Sequence, residues 1–234
     1  MPTDWSRALA VVAHPDDLEY GASGAIAHWT AEGKEVSYLL ITRGEAGIDT
    51  MNPSEAAVVR EREQRESAAI VGVHDVAFLD YPDGVIEPSL DLRRDIAAAI
   101  RRYRPELVIG TNHRETFPGG FLNMADHRVV GAATIDAVRD AANRWVFTDQ
   151  VDDGLQKWDG VRWVALAGSP QPTHAVDITD TFDLGVRSLQ AHAAYLAALR
   201  GDMAQPEPFL RQIAEQTGAH LGCALACSFE LLQM

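Results

Sequence analysis

An α/β fold built on one open, mostly parallel sheet is predicted by three features of the sequence. Residues 8–13 are an unbroken apolar run without alternation, the pattern of a central parallel strand covered by helices on both faces. Further β-rich runs then alternate with helical patterns. Three of these runs end in polar turns that carry charge or imidazole, at the strand ends where open parallel sheets bind ligands.

The elements follow in order. Residues 19–31 set Ala22, Ala25, Ile26 and Trp29 at helical spacing, Glu32-Gly33-Lys34 supplies a stop, and residues 36–42 form a second strand, which completes a βαβ unit. After the loop Arg43-Gly44-Glu45-Ala46-Gly47, Pro53-Ser54 opens a Glu- and Arg-rich helix that runs to about Val71, and residues 48–56 suit a mobile lid. Residues 76–79 read as a third strand, residues 88–103 as an amphipathic helix and residues 105–110 as a fourth strand. A loop over residues 111–125, with Pro118-Gly119-Gly120 at its middle, precedes a helix from Asp126 to about Asn143. Loops of this length in a compact domain are usually functional. Beyond Trp145 the pattern is less regular. Residues 161–166 and 175–178 read as strands, residues 181–199 as one helix, and residues 218–232 as a terminal helix or strand.

At about 150 residues per domain, a chain of 234 residues predicts one Rossmann-like domain over residues 1–234 with a less regular C-terminal part. Hydrophobic residues at 47% against 23% charged exclude wholesale disorder and allow a large core. With 20 Lys and Arg against 34 Asp and Glu, the net charge of -14 repels a phosphate backbone and an anionic membrane surface. Neither nucleic acid nor a membrane is an expected partner; assembly into a homo-oligomer stays open. The two cysteines, Cys223 and Cys227, form neither a CxxC pair nor a disulfide framework and read as reduced core thiols. No apolar run approaches a signal segment or a membrane span, so a cytoplasmic location is expected.

The chemistry is expected at the strand ends. The first strand ends in His14-Pro15-Asp16-Asp17, the second in Thr42-Arg43-Gly44-Glu45 and the fourth in Thr111-Asn112-His113-Arg114. Crowding an imidazole and two carboxylates at one edge costs energy unless a cation neutralises them. A metal is the economical account, although a turn that caps the next helix would use the same residues. Catalytic zinc takes three protein ligands, often His and carboxylate, plus a water. His14 and Asp17 supply two, and Asp126-His127, opening the helix after the long loop, is the best-placed source of the third. Arg43, Glu45 and Arg60 are candidate sugar or anion contacts, because a guanidinium presents a planar fork to such groups, although Arg60 in its Glu- and Arg-rich helix equally fits a solvated surface charge. His28, His74, His174 and His220 lack a carboxylate-rich setting and read as structural.

Val12-Ala13-His14-Pro15-Asp16-Asp17-Leu18-Glu19 resembles the signature of the zinc-dependent deacetylases of the PIG-L/LmbE type, which act on N-acetylglucosaminyl groups of thiol-sugar precursors, chitobiose and glycolipids. The resemblance continues through Thr42-Arg43-Gly44-Glu45, Arg60-Glu61-Arg62-Glu63, Leu79-Asp80, Asp126-His127 and Gln190-Ala191-His192. It implies Zn2+ held by His14, Asp17 and His127, with Asp16 as general base and His192 near the substrate. One position departs from the family pattern. The histidine usual three residues before the last ligand, thought to stabilise an oxyanion, is replaced by Met124. His113 and His192 are then the candidates for the charge-stabilising role, with a solvated loop residue for His113 and a core histidine for His192 as the alternatives.

The activity implied is removal of an acyl group, acetyl above all, from the 2-amino position of a sugar or sugar conjugate. An amidase acting on a bulkier thiol-sugar conjugate or natural-product amide is the alternative within enzymes. A metal- or sugar-binding protein with weakened turnover is the alternative outside them, motivated by Met124. A nucleotide-binding Rossmann protein is disfavoured, since Gly21 and Gly24 form no G-x-G-x-x-G and His14-Pro15-Asp16-Asp17 occupies the turn where phosphates need bare backbone.

Overall fold

The computed structural model describes all 234 residues and gathers seven strands into one sheet. They are β1 (Arg7–Val12), β2 (Glu35–Leu40), β3 (Asp75–Phe78), β4 (Leu107–Thr111), β5 (Trp163–Ala167), β6 (His174–Asp177) and β7 (Ala226–Gln233). The order across the sheet is β3-β2-β1-β4-β5-β7-β6. The first five are parallel, while β7 pairs antiparallel with both β5 and β6. From β1 the chain builds outward to β2 and β3, then returns to place β4 on the other side of β1. That reversal opens a crevice beyond the carboxyl ends of β1 and β4, the usual ligand position in such sheets.

The helices are α1 (Asp17–Gly21), α2 (Ser23–Ala31), α3 (Pro53–Ile70), α4 (Leu90–Tyr103), α5 (Ala125–Ala142), α6 (Thr148–Asp152), α7 (Phe182–Gln190), α8 (Ala193–Ala198) and α9 (Pro206–Leu221). Strand β1 shows why its sequence is apolar at every position. Ala8, Ala10 and Val12 enter one core with Ile26 and Trp29 of α2, Ala68 of α3 and Phe182 of α7. Leu9, Val11 and the following Ala13 enter the opposite core with Ile96 and Ile100 of α4 and Val130 of α5. Local caps set the helix starts: the Ser89 side chain accepts from Leu92 N at 3.1 Å, and Asn52 accepts from Ser54 N at 3.0 Å just ahead of Pro53.

Several boundaries differ from the sequence reading. The stretch 19–31 is two helices, with Ala22 between α1 and α2. The stretch 181–199 is also two helices, because His192, with ψ 52°, breaks the chain before α8. Residues 218–232 combine the end of α9, closed by Gly222 at φ 83°, with β7. Residues 48–56, which suit a lid, are anchored at both ends, since Ile48 and Ala56 are core residues, and α3 begins at Pro53. Cys223 and Cys227 are free and half-buried, the Cys227 thiol donating to Gly21 O. His28 pairs with Glu32, and His74, His174 and His220 lie exposed on the surface. No helix is long and apolar enough to cross a membrane.

Candidate metal centre

The turn after β1 does not cap the following helix with its side chains. Asp16 precedes α1 in the left-handed region at φ 84° and makes no capping bond. A non-glycine residue there is strained and persists only where its surroundings hold it. Asp17 Oδ2 accepts the backbone N–H of His14 at 2.9 Å, which folds the turn back on itself.

Three acceptor atoms converge beyond the turn. His127 Nε2 lies 2.9 Å from Asp17 Oδ1 and 3.2 Å from His14 Nδ1. Each imidazole has a partner for its other nitrogen. His14 Nε2 is 3.0 Å from Asp83 Oδ1 and 3.2 Å from Asp126 Oδ2, and His127 Nδ1 is 3.1 Å from Asn123 Oδ1. With the outer nitrogens protonated toward these acceptors, the inner nitrogens and Asp17 Oδ1 aim lone pairs at one point. That donor set fits a cation, and the carboxylate behind a ligating histidine is the usual outer support of zinc sites. Burial alone would lower the His14 pKa, but bonds to Asp126, Asp17 and Asp83 outweigh it and hold the ring well above its ordinary value. Asp17 goes the other way: burial favours its neutral form, yet His127 and His14 keep it far below the usual carboxylate range.

Asp126 does more than open a helix. Its carboxylate accepts Gly84 N–H at 2.7 Å and Ile86 N–H at 3.1 Å, so the loop after β3 is tied to the start of α5. Asp83 in that loop also accepts Ala46 N–H at 2.8 Å, while Glu45 Oε1 accepts Asp83 N–H at 2.9 Å.

Asp16 rests on α3. Its carboxylate Oδ2 and Pro15 O both accept from Arg60 Nη2 at 2.5 Å. The Arg60 guanidinium lies 4.0 Å from the Tyr195 ring centroid. Gly47 leaves room for it, since a Cβ there would stand 2.5 Å from Arg60 Nη1. Burial pushes the Asp16 pKa up and the nearby Asp17 charge adds to this, against Arg60.

Of the three expected sugar contacts, Arg60 is the one the fold encloses. Arg60 is buried at 1% exposure, with its fork spent on Asp16, because the polar side of α3 faces the protein and not solvent. Arg43 is bound to Glu61 and Asp80, and Glu45 is held by Asp83, each remaining partly exposed. His192 is 0% exposed, its Nε2 3.7 Å from Glu19 Oε2. His113 packs its Cα and Cβ against Gly131 of α5, and its buried Nδ1 has no hydrogen-bond partner. Neither ring bonds to the three converging atoms. Met124 is 53% exposed beside Phe121 and Leu122 in the long loop.

Sequence reasoning missed Asp83, Asn123, Gln64 and Glu19. The signal for Gln64 was present as Arg60, Glu63, Gln64 and Ser67 at i, i+3, i+4 and i+7, one helical face. Asp83 sits in what reads as an ordinary Asp-Gly turn.

The family model described as "PIG-L: GlcNAc-PI de-N-acetylase" matches residues 9–138. Diacetylchitobiose deacetylase of Thermococcus kodakarensis is 29% identical over 94% of this chain and 80% of its own length. A probable N-acetyl-alpha-D-glucosaminyl L-malate deacetylase 2 of Bacillus anthracis is 31% identical over 56% of this chain and 59% of its own. The solved structure of N,N'-diacetylchitobiose deacetylase from Pyrococcus horikoshii superimposes with a TM-score of 0.89 at 28% identity, covering 98% of this chain and 85% of that one. The match spans β1 through most of α5, and with it the whole cluster of converging side chains; the chain belongs to the PIG-L family.

Proposed function

We propose that this chain is a zinc-dependent amide hydrolase that removes an acyl group, acetyl above all, from the nitrogen of an amino sugar or sugar conjugate. The observation that carries the reading is the convergence of His14 Nδ1, Asp17 Oδ1 and His127 Nε2 next to a buried carboxylate, Asp16, that is not among them. Two imidazoles and one carboxylate are a donor set of catalytic zinc. Relatives named for deacetylating amino sugars support the substrate class.

Zinc, when bound, supplies Lewis-acid polarisation of the scissile carbonyl and acidifies a water. The side chains do the rest. Asp16 accepts a proton from the attacking water and returns it to the departing amine nitrogen. Arg60 occupies Oδ2, which leaves Oδ1 to carry that proton. Asp83, Asp126 and Asn123 keep the two imidazoles in the tautomers that face inward. His113 is the donor assigned to the carbonyl oxygen as charge develops there, a role the thioether of Met124 cannot fill. His192, being enclosed, acts through Glu19 and does not touch the sugar.

The zinc-loaded protein should release free amine from N-acetylglucosamine or N,N'-diacetylchitobiose, lose that activity to a chelator and regain it with zinc. His14→Ala should lose both metal and turnover. Undiminished turnover after metal removal, or in His14→Ala, would take this cluster out of the reaction.

A second reading, an amidase for a bulkier thiol-sugar or natural-product conjugate, is favoured by one observation. Phe121, Leu122 and Met124 are 73%, 76% and 53% exposed in the loop that leads to His127. An aryl or thioether conjugate preferred over diacetylchitobiose in the same assay would select it.

A further inference from the structure

The side of α3 that faces the protein carries Arg60, Glu63, Gln64 and Ser67, all buried. Helices normally bury an apolar stripe, because a polar group taken from water must be matched by partners inside. The partners of Gln64 converge on the strained turn. Its Oε1 accepts the backbone N–H of Asp16 at 3.0 Å, and its Nε2 donates to Glu19 Oε1 at 2.9 Å. The same Glu19 oxygen accepts from Ser67 Oγ at 2.6 Å, and Ser67 Oγ lies 2.7 Å from Ser188 Oγ on α7. The other Glu19 oxygen faces His192 Nε2 at 3.7 Å. Gln64, Glu19, Ser67, Ser188 and His192 are each at most 1% exposed.

This arrangement fixes more than a side chain. An amide can turn either end toward a neighbour, and the donor end of Gln64 is committed by the Glu19 carboxylate, which only accepts. The acceptor end is thereby presented to the Asp16 N–H. That N–H belongs to the residue at φ 84°, a conformation that needs external support. Arg60, one turn earlier on α3, grips the carboxylate of the same residue. Backbone and side chain of Asp16 are therefore both held from one helix.

We propose that Gln64 is a positioning residue for the hydrolysis: oriented by Glu19, it holds Asp16 in the left-handed backbone that aims its carboxylate at the attacking water. The proposal rests on the assignment of Asp16 as general base. Gln64→Leu removes both bonds at similar volume. With zinc bound it should lower kcat about tenfold or more, the worth of a buried hydrogen bond and its geometry, with KM within about twofold and zinc still near one per chain. A structural role would slow every background alike, whereas positioning acts through one carboxylate. Gln64→Leu added to Asp16→Asn should therefore cost nothing further. Glu19→Ala should lose turnover like Gln64→Leu, and Glu19→Gln, which keeps an acceptor for Gln64 Nε2, should regain most of it. These two carry the test if Gln64→Leu fails to fold. Arg62→Ala, at an exposed pair with Glu66 on α3, is the neutral control.

Hydrogen exchange of the Asp16 amide in the zinc-loaded protein gives a readout independent of turnover. It should be protected in the parent chain and accelerate about tenfold or more in Gln64→Leu, as expected for loss of a buried bond. Wild-type turnover in Gln64→Leu, or an equal further loss in the Asp16→Asn background, overturns the proposal. An unchanged Asp16 exchange rate overturns it too, even if the parent chain hydrolyses no amide at all. Exchange that accelerates in an inactive parent would instead keep the positioning and remove the functional reading beneath it.

Discussion

Helices α3 and α4 flank opposite faces of the same sheet and bury opposite kinds of surface. On α4 the buried side is Leu92, Ile96, Ala97, Ala99, Ile100 and Arg101; on α3 it is Ala56, Arg60, Glu63, Gln64, Ser67 and Ala68. Each helix even buries one arginine. Arg101 donates to the carbonyls of Asp140, Ala141, Asn143, Val146 and Phe147 and to Gln150 Oε1, which staples the end of α5 to α4 with no carboxylate involved. Arg60 reaches one carbonyl and one carboxylate, and its Nε has no partner. A buried cation spent wholly on carbonyls is architecture. One set against a single strained carboxylate, with a donor left over, belongs to a site.

The contrast breaks most sharply on the α4 side. Ile96→Ala, at a fully enclosed position, should cost about 2–5 kcal/mol of unfolding free energy, read by urea titration, while turnover per folded molecule stays unchanged. A large drop in turnover below the transition would mean that α4 also shapes the site.

His113 tests the border between the two layers, since it packs on α5 within the apolar layer but ends in an unpaired nitrogen. His113→Ala should lower kcat about 10²-fold with little change in KM, the usual loss of an oxyanion donor. A variant within about threefold of the parent, well short of that loss, leaves His113 a packing residue.

The two arginines sharpen the comparison at smaller magnitude. Arg60→Lys keeps the charge but loses the fork and the stacking on Tyr195, and should cost about tenfold in turnover, the scale of one charge-assisted bond. Arg101→Lys should lower stability and leave turnover alone. An inverted pattern, with Arg101→Lys impaired in kcat and Arg60→Lys only in stability, would reverse the roles given to these helices.

The same contrast explains what was legible in the sequence. The apolar stripe of α4 and the unbroken run of β1 announce themselves, because burial of hydrocarbon leaves a period in the letters. His14, Asp16 and Asp17 are also visible, since they interrupt such a run at a strand end, and Asp126-His127 because it opens a helix after a long loop. The stripe on α3 is not. A face of Arg, Glu, Gln and Ser looks like a solvated surface, and only tertiary contact shows that it faces inward. Such a face suggests a solvated charge or a sugar contact for Arg60, whereas its fork lies behind Asp16. Asp83 was missed for a related reason: its work lies in a contact to His14 across 69 positions of sequence, which a turn motif does not reveal. The break at His192 leaves no mark in the sequence, because the Ala-rich residues after it continue the helical pattern.

In the proposed function the cluster after β1 separates holding a metal from moving a proton, with His14, Asp17 and His127 doing the first and Asp16 the second. Zinc content and turnover of Asp16→Asn, measured on one preparation, test it most directly. Asp16→Asn should hold one zinc per chain, as in the parent, with free-amine release down by about 10²–10⁴-fold, the range for a lost general base. Turnover above about a tenth of the parent, short of that range, or zinc lost together with activity, would contradict it.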